Sequence, residues 1–386
     1  MFLGKKLAAA PVHTPLSQGD SAFGRLTVDL KAVAANHDIF RNQVGAPCEI
    51  AGVVKANAYG TGLAPIAATL FAKGSRRFFV ATPDEGFSLR QILPLAEIAV
   101  LGGGLPYHSD AFVEAHIEPV LNSLHDIALW REAARRRDKT LPAIIHLDTG
   151  MNRLGLPAHE AETLINDPAL LCELDVIIVM SHFACADEKF HPLTVTQHES
   201  FRKFAAHFPH AKKSLANSSG IFRSKDFHFD MVRPGMATYG LNPTPEAKNP
   251  MHPVVALEAR ILQTRNVKAG DTIGYSATHT FKGTGLTATV ALGYADGFHR
   301  AHSGKASLYW QGIACPLVGR VSMDLVTVDL SNLQGKLPQS GDWLEVLGPH
   351  QSADQLAVSA GTIDYEILTG LGPRYQRIYL PSSLSS

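Results

Sequence analysis

The chain has 386 residues, with 35 Lys plus Arg against 35 Asp plus Glu, 45% hydrophobic and 18% charged residues. The balanced charge excludes the global field that draws a protein to nucleic acid or an anionic membrane. The length exceeds the roughly 250 to 300 residues at which a single core stops growing, so two domains are expected.

Residues 1–23 are rich in Ser, Pro and Gly and read as a mobile tail. Pro11 and the polar residues after it end any apolar region too early for a signal peptide. No apolar run approaches the roughly 20 residues needed to span a bilayer. Four widely spaced cysteines, Cys48, Cys172, Cys185 and Cys315, form no CxxC pair and suit reduced thiols. A cytoplasmic protein is expected.

From Arg25 to Leu30 polar and apolar residues alternate as in a strand, and a helical stretch opens near Lys31. Apolar strands follow at Ile50 to Val54, Phe78 to Ala81, Ile98 to Leu101, Ala143 to Leu147 and Val176 to Met180. Helical patterns lie between several of them, as at Asp84 to Gln91 and His125 to Arg136. Strands alternating with helices imply βαβ units and a parallel sheet. After the Pro-rich linker Asn242 to Pro253 the texture changes. Val254 to Thr264, Thr287 to Leu292, Ala306 to Trp310, Leu325 to Leu330 and Trp343 to Leu347 read as strands separated by short turns. Helical periodicity returns only from Ser352 to Leu368. That is a mostly antiparallel β domain. The expected division is 24–250 and 251–386.

Lys55 sits where the run Ile50 to Val54 breaks, in Val53-Val54-Lys55-Ala56-Asn57-Ala58-Tyr59-Gly60. Most lysines at strand ends are simply solvated. A partly desolvated one has a lowered pKa, and its neutral amine can hold a carbonyl as a Schiff base. The full string resembles the cofactor-lysine motif of the alanine racemases, and the resemblance continues in order from about Arg25 to Tyr379. It implies a (β/α)8 barrel followed by a β domain, with pyridoxal 5'-phosphate at the C-terminal ends of the barrel strands.

What the resemblance implies for individual residues follows string by string. Ala216-Asn217-Ser218-Ser219-Gly220 would cradle the phosphate, together with backbone groups of Gly235 and Met236 and the hydroxyls of Tyr59 and Tyr365. Arg233, in Arg-Pro-Gly, would face the pyridine nitrogen; a guanidinium keeps its proton, which leaves that nitrogen unprotonated. Racemisation needs a base on each face of the substrate. Lys55 would serve one face and Tyr275, in Gly274-Tyr275-Ser276-Ala277-Thr278, the other. His182 would link the tyrosine to Arg233. Arg153, in Asp148-Thr149-Gly150-Met151-Asn152-Arg153, and the backbone N–H of Met323 would take the substrate carboxylate, and Tyr294 would line the entrance. The C-terminal strings would arrive from the second subunit of a head-to-tail homodimer. No metal site is expected, because HExxH is absent and His191 and His198 lack supporting ligands.

One position departs from the pattern. Many family members carry a lysine, carbamylated in some, two residues before Asp-Thr-Gly, where this chain has His146. A bound anion, a water network or another acid is expected to orient Arg153 instead. Tyr365 would narrow the pocket toward a methyl side chain, favouring alanine over serine or a broader amino acid range. A non-catalytic pyridoxal phosphate carrier would lack the second domain. A barrel-type decarboxylase would place a carboxylate where Arg233 stands.

Overall fold

The computed structural model describes residues 22–104 and 108–381. The expected tail, residues 1–23, lies outside the described residues except for Ala22 and Phe23.

The first strand, β1 (Gly24–Asp29), leads through an Asp29 cap into the helix Leu30–Val44. The Asp29 carboxylate accepts the N–H groups of Lys31 and Ala32, satisfying two donors that a helix start leaves open. The barrel strands then follow: β2 (Glu49–Ile50), β3 (Gly52–Val53), β4 (Arg77–Val80), β5 (Glu97–Val100), β6 (Ile117–Leu121), β7 (Leu141–His146), β8 (Leu174–Met180), β9 (Lys212–Ser214) and β10 (Met231–Val232). All their pairings are parallel, in the order β2-β10-β9-β8-β7-β6-β5-β4-β3. Only Ala51 separates β2 from β3. They are one strand, and it closes the ring by pairing with β10 on one side and β4 on the other. The expected (β/α)8 barrel is therefore present. Its strands are buried at their C-terminal ends, and β4 along its whole length, which is why they read as apolar runs without alternation.

The second sheet comprises β11 (Val255–Val267), β14 (Gly285–Ala291), β15 (Ser307–Trp310), β16 (Ile313–Val318), β17 (Leu325–Asp329) and β18 (Trp343–Leu347). A small hairpin, β12 (Thr272–Ile273) with β13 (His279–Thr280), projects between β11 and β14. The long β11 pairs with both β18 and β14, so these six antiparallel strands close on themselves. The last strand, β19 (Gln376–Leu380), lies outside that ring beside β1. The expected helical stretch Ser352 to Leu368 is two helices, Ala353–Ala360 and Asp364–Thr369, broken at Gly361, whose φ is +71°.

One boundary needs correction. The barrel was expected to begin at residue 24, yet β1 pairs antiparallel with β11 and parallel with β19. Alternation shows that a segment is a strand; it says nothing about which sheet supplies the partners. Residues 24–29 thus tie the chain start into the second sheet before the barrel begins.

Candidate active site

Lys55 follows β3, at the C-terminal end of a barrel strand. The residues after it do not form an ordinary turn. Ala56, Asn57, Ala58 and Tyr59 have φ of 54°, 52°, 52° and 53°, a left-handed helical turn built without glycine. L-residues disfavour this conformation by roughly 1–2 kcal/mol each, so neighbouring groups must hold it. Ala58 N–H bonds Val54 O, Gly60 N–H bonds Ala56 O, and Asn57 Oδ1 accepts Leu63 N–H at 2.9 Å. The turn puts Lys55 half-buried on the wall of a cavity of about 530 Å³. Burial lowers the amine's pKa, Arg153 lowers it further, and Glu85 opposes them.

The same cavity is lined by Tyr59, His146, Arg153, His182, Asn217, Ser218, Arg233, Gly235, Met236 and Tyr365, contributed by the strand ends of the barrel and the helix Asp364–Thr369. Ten of the expected site residues therefore meet at one mouth: these, with Lys55 added and His146 set aside. Asn217 is the cap of the short helix Ser218–Arg223, its Oδ1 accepting Gly220 N–H at 2.9 Å. Ser218 Oγ accepts Gly235 N–H at 2.9 Å and Ala237 N–H at 3.3 Å, which joins two loops into one cradle. Among the described residues, the N–H groups of Ser219 and Met236 have no protein acceptor. Tyr59 stacks on Tyr239 at 4.5 Å, and burial pushes its hydroxyl up to about 12, so it stays a donor at neutral pH. Open N–H groups beside protonated phenols fit a phosphate.

Arg233 leaves β10 and is 4% exposed. It donates to Ser214 Oγ and to Ser181 O, while its Nε has no protein acceptor among the described residues. No carboxylate there pairs with it. Burial lowers its pKa to about 9, which still leaves a cation at neutral pH. An open, charged donor of this kind suits an aromatic nitrogen that lacks its own proton. His182, on the wall, has its pKa held well below the ordinary value by burial, then by the charges of Arg233 and Arg153. It is a neutral imidazole.

Tyr275, Tyr294 and Met323 are not in the cavity. They are 72%, 44% and 53% exposed and lie in loops, hydrogen-bonded to one another, between strands of the second sheet. Tyr294 N–H bonds Ser322 O, Ala295 N–H bonds Met323 O, and Arg320 donates to Ser276 Oγ at 3.0 Å. The N–H of Met323 has no protein acceptor among the described residues. The expected residues thus fall in two places on one chain, the cavity wall in the barrel and an exposed patch elsewhere.

Residues 28–243 match the family profile of the alanine racemase N-terminal domain, and residues 254–379 that of the C-terminal domain. The chain belongs to the alanine racemase family. It is 48% identical to an alanine racemase of Acidiphilium cryptum, covering 92% of this chain and 98% of the relative. Against one of Rhodospirillum rubrum the identity is 45%, covering 93% and 96%. Among solved structures, the alanine racemase from Bartonella henselae with covalently bound pyridoxal phosphate superposes with a TM-score of 0.89 at 40% identity, covering 93% of this chain and 100% of that one.

One expectation about this family member changes. His191 does have neighbours of ligand type: ligand atoms of Cys185, Glu188 and His191 all lie within 4.8 Å of one another. Their spacing, Cys-x-x-Glu-x-x-His, was readable, but the loop that folds them together was not. His191 Nδ1 already accepts Leu193 N–H there, as a helix cap. Arg153, expected to meet an anion, water or another acid in place of the family's lysine, has no carboxylate partner among the described residues. Its loop is instead fixed by Asp148, whose Oδ1 accepts the N–H groups of Gly150, Met151 and Asn152.

Sequence reasoning also passed over Gln197. Fully buried, it donates to His182 O at 3.0 Å and Thr149 Oγ1 at 3.2 Å and accepts Ala184 N–H at 2.9 Å, so it ties the His182 and Arg153 loops together. A glutamine on an amphipathic helix gave no signal of this.

Proposed function

We propose that this protein interconverts L-alanine and D-alanine, using pyridoxal 5'-phosphate held in the barrel-mouth cavity. The observation that carries this reading is the meeting of a half-buried lysine, a buried arginine with no carboxylate partner among the described residues, and an N–H and hydroxyl cradle in one cavity. When bound, the cofactor withdraws electrons from the substrate's Cα and so acidifies its proton.

The protein's own residues do the rest. Ser218, the N–H groups near Gly235 and Met236, Tyr59 and Tyr365 hold the phosphate, and the Asn217 cap keeps their helix in place. Arg233 would donate to the cofactor's ring nitrogen and, keeping its own proton, would leave that nitrogen unprotonated. Lys55 Nζ anchors the cofactor and exchanges the α-proton on one face. Tyr275 Oη exchanges it on the other, with His182 linking that base to Arg233. Arg153 and the Met323 N–H bind the carboxylate, Tyr294 lines the entrance, and Tyr365 limits the side-chain space to about a methyl group.

Because Tyr275, Tyr294 and Met323 lie outside their own chain's cavity, the working form is a head-to-tail homodimer with two shared sites. The division is a cofactor barrel up to residue 250 and a β domain from 251 that also takes in Gly24–Asp29. Among the described residues no helix is long and apolar enough to cross a membrane. All four cysteines are unpaired, in keeping with a cytoplasmic location.

The test is D-alanine formation from L-alanine by purified protein loaded with pyridoxal phosphate, followed by chiral chromatography. Lys55→Ala should abolish it in the absence of added amine. A Lys55→Ala protein that still racemised would overturn the assignment.

A further inference from the structure

The left-handed turn after Lys55 is disfavoured four residues running, so something outside it must keep it in place. Its opening N–H, that of Ala56, has no acceptor within the turn. It donates instead to Glu85 Oε1 at 2.5 Å. Glu85 lies in the first turn of the helix Pro83–Ile92, where its other oxygen, Oε2, accepts Ala81 N–H at 2.8 Å and Thr82 N–H at 3.4 Å. One carboxylate thus joins the ends of two neighbouring barrel strands, β3 through its turn and β4 through Ala81.

We propose that Glu85 is the positioning residue for Lys55: its carboxylate clamps the left-handed turn against the end of β4 and supplies the negative charge acting on the lysine's amine. This deepens the reading of Lys55 as the reacting amine and rests on it. Charge-assisted bonds from a carboxylate to backbone N–H groups are roughly twice as strong as neutral ones, as the turn requires. The charged and titratable groups facing Lys55 are Arg153 from the loop after β7, His146 at the end of β7, His182 after β8, Arg233 after β10, Tyr59 on its own turn and Tyr365 from the helix Asp364–Thr369. Arg233 and Arg153 are cations, the two histidines are held neutral by burial and both tyrosine hydroxyls are pushed up by burial. Glu85 is the anion that acts on Lys55, opposing both burial and Arg153.

The charge and the clamp make separable predictions. Glu85→Gln keeps a residue that serves in a capping box and one acceptor oxygen, but removes the charge. The midpoint of Lys55 should then move lower, raising the share of neutral amine below that midpoint. Loosening the turn alone would solvate Lys55 and move the midpoint up. The readout is trace acetylation of the full-length, cofactor-free protein with acetic anhydride across pH, quantified on the Lys55 peptide by mass spectrometry. A lower midpoint in Glu85→Gln supports the proposal; an unchanged or higher one overturns it. Glu85→Ala removes both oxygens, and amide exchange across Ala56 to Tyr59 should rise at least about tenfold; unchanged exchange in a folded variant overturns the clamp. Neither readout needs cofactor turnover, so a failed racemase assignment and a failed Glu85 assignment give different results.

Discussion

His146 Nδ1 lies 2.8 Å from Asn122 Oδ1, and that contact fixes what replaces the family's lysine electrically. The Asn122 amide donates to Val120 O at 2.9 Å and Leu101 O at 3.2 Å, so its oxygen is the acceptor and His146 Nδ1 carries the proton. Burial, then the Arg233 charge, lowers the His146 pKa to about 4. At neutral pH the ring is therefore uncharged and keeps a lone pair on Nε2. The His146 ring itself therefore does not supply the negative charge of a carbamylated lysine. Asn122→Leu would strand the Nδ1 proton in a buried place, at a cost of about 1–3 kcal/mol. Urea unfolding should show the midpoint fall without a change in slope.

Acid should weaken the fold through its buried histidines. His146, His37 and His302 all have folded pKa values near 4, chiefly because burial disfavours their charged forms. The unfolded chain binds protons on these rings from about 6.5 downward, whereas the folded protein resists until about 4. Between those values the unfolded state holds more protons, so stability drops as pH falls through this window and is fully present above it. For His146 alone the difference is about 3 kcal/mol. His146→Gln should flatten part of the fall in melting temperature between pH 6.5 and pH 4. An equally steep fall in the variant would place the acid sensitivity elsewhere.

The proposal that two subunits share each site is tested by complementation. Lys55→Ala and Tyr275→Phe proteins should each be strongly impaired as homodimers. Mixed one to one and allowed to exchange subunits, half the dimers become hybrids, each with one intact site and one doubly defective site. Activity should then recover to about one quarter of the wild-type value. If each chain used its own Tyr275, no intact site would form and mixing would restore nothing. Tyr275→Phe alone should also slow exchange of the α-proton with solvent unequally for the two enantiomers, because it removes the proposed base on one face only.

The parts of this site that could be read from sequence were those marked by short strings: Lys55, Arg233, Ser218 and Arg153 were all found in one cavity. What stayed hidden depends on partners distant in sequence. Glu85 sits in Thr82-Pro83-Asp84-Glu85, an ordinary capping-box pattern that gives no hint of its bond to Ala56. The left-handed turn at Ala56 to Tyr59 contains no glycine to announce it, and alanine favours the opposite helical hand. The strands β9 and β10 are three and two residues long, too short for periodicity to register. The alternation in β1 marked a strand but not its sheet, because pairing is decided by β11 and β19 more than 200 residues away.

Gly235 gives a test of the cradle that spares the barrel. Its φ is −103°, outside the left-handed region that favours glycine, and space is a constraint. A Cβ built there would run into the Tyr59 hydroxyl, whose ring is held by its stack on Tyr239. Gly235→Ala must therefore push Tyr59 aside or shift the loop that donates Gly235 N–H to Ser218 Oγ. Either movement opens the cradle, and one lost charge-assisted contact of roughly 1.5–3 kcal/mol weakens binding at least about tenfold. Equilibrium dialysis of pyridoxal phosphate should show that loss at a temperature where the cofactor-free variant is still folded. Undiminished binding would mean that Tyr59 and the Gly235 loop do not grip the phosphate.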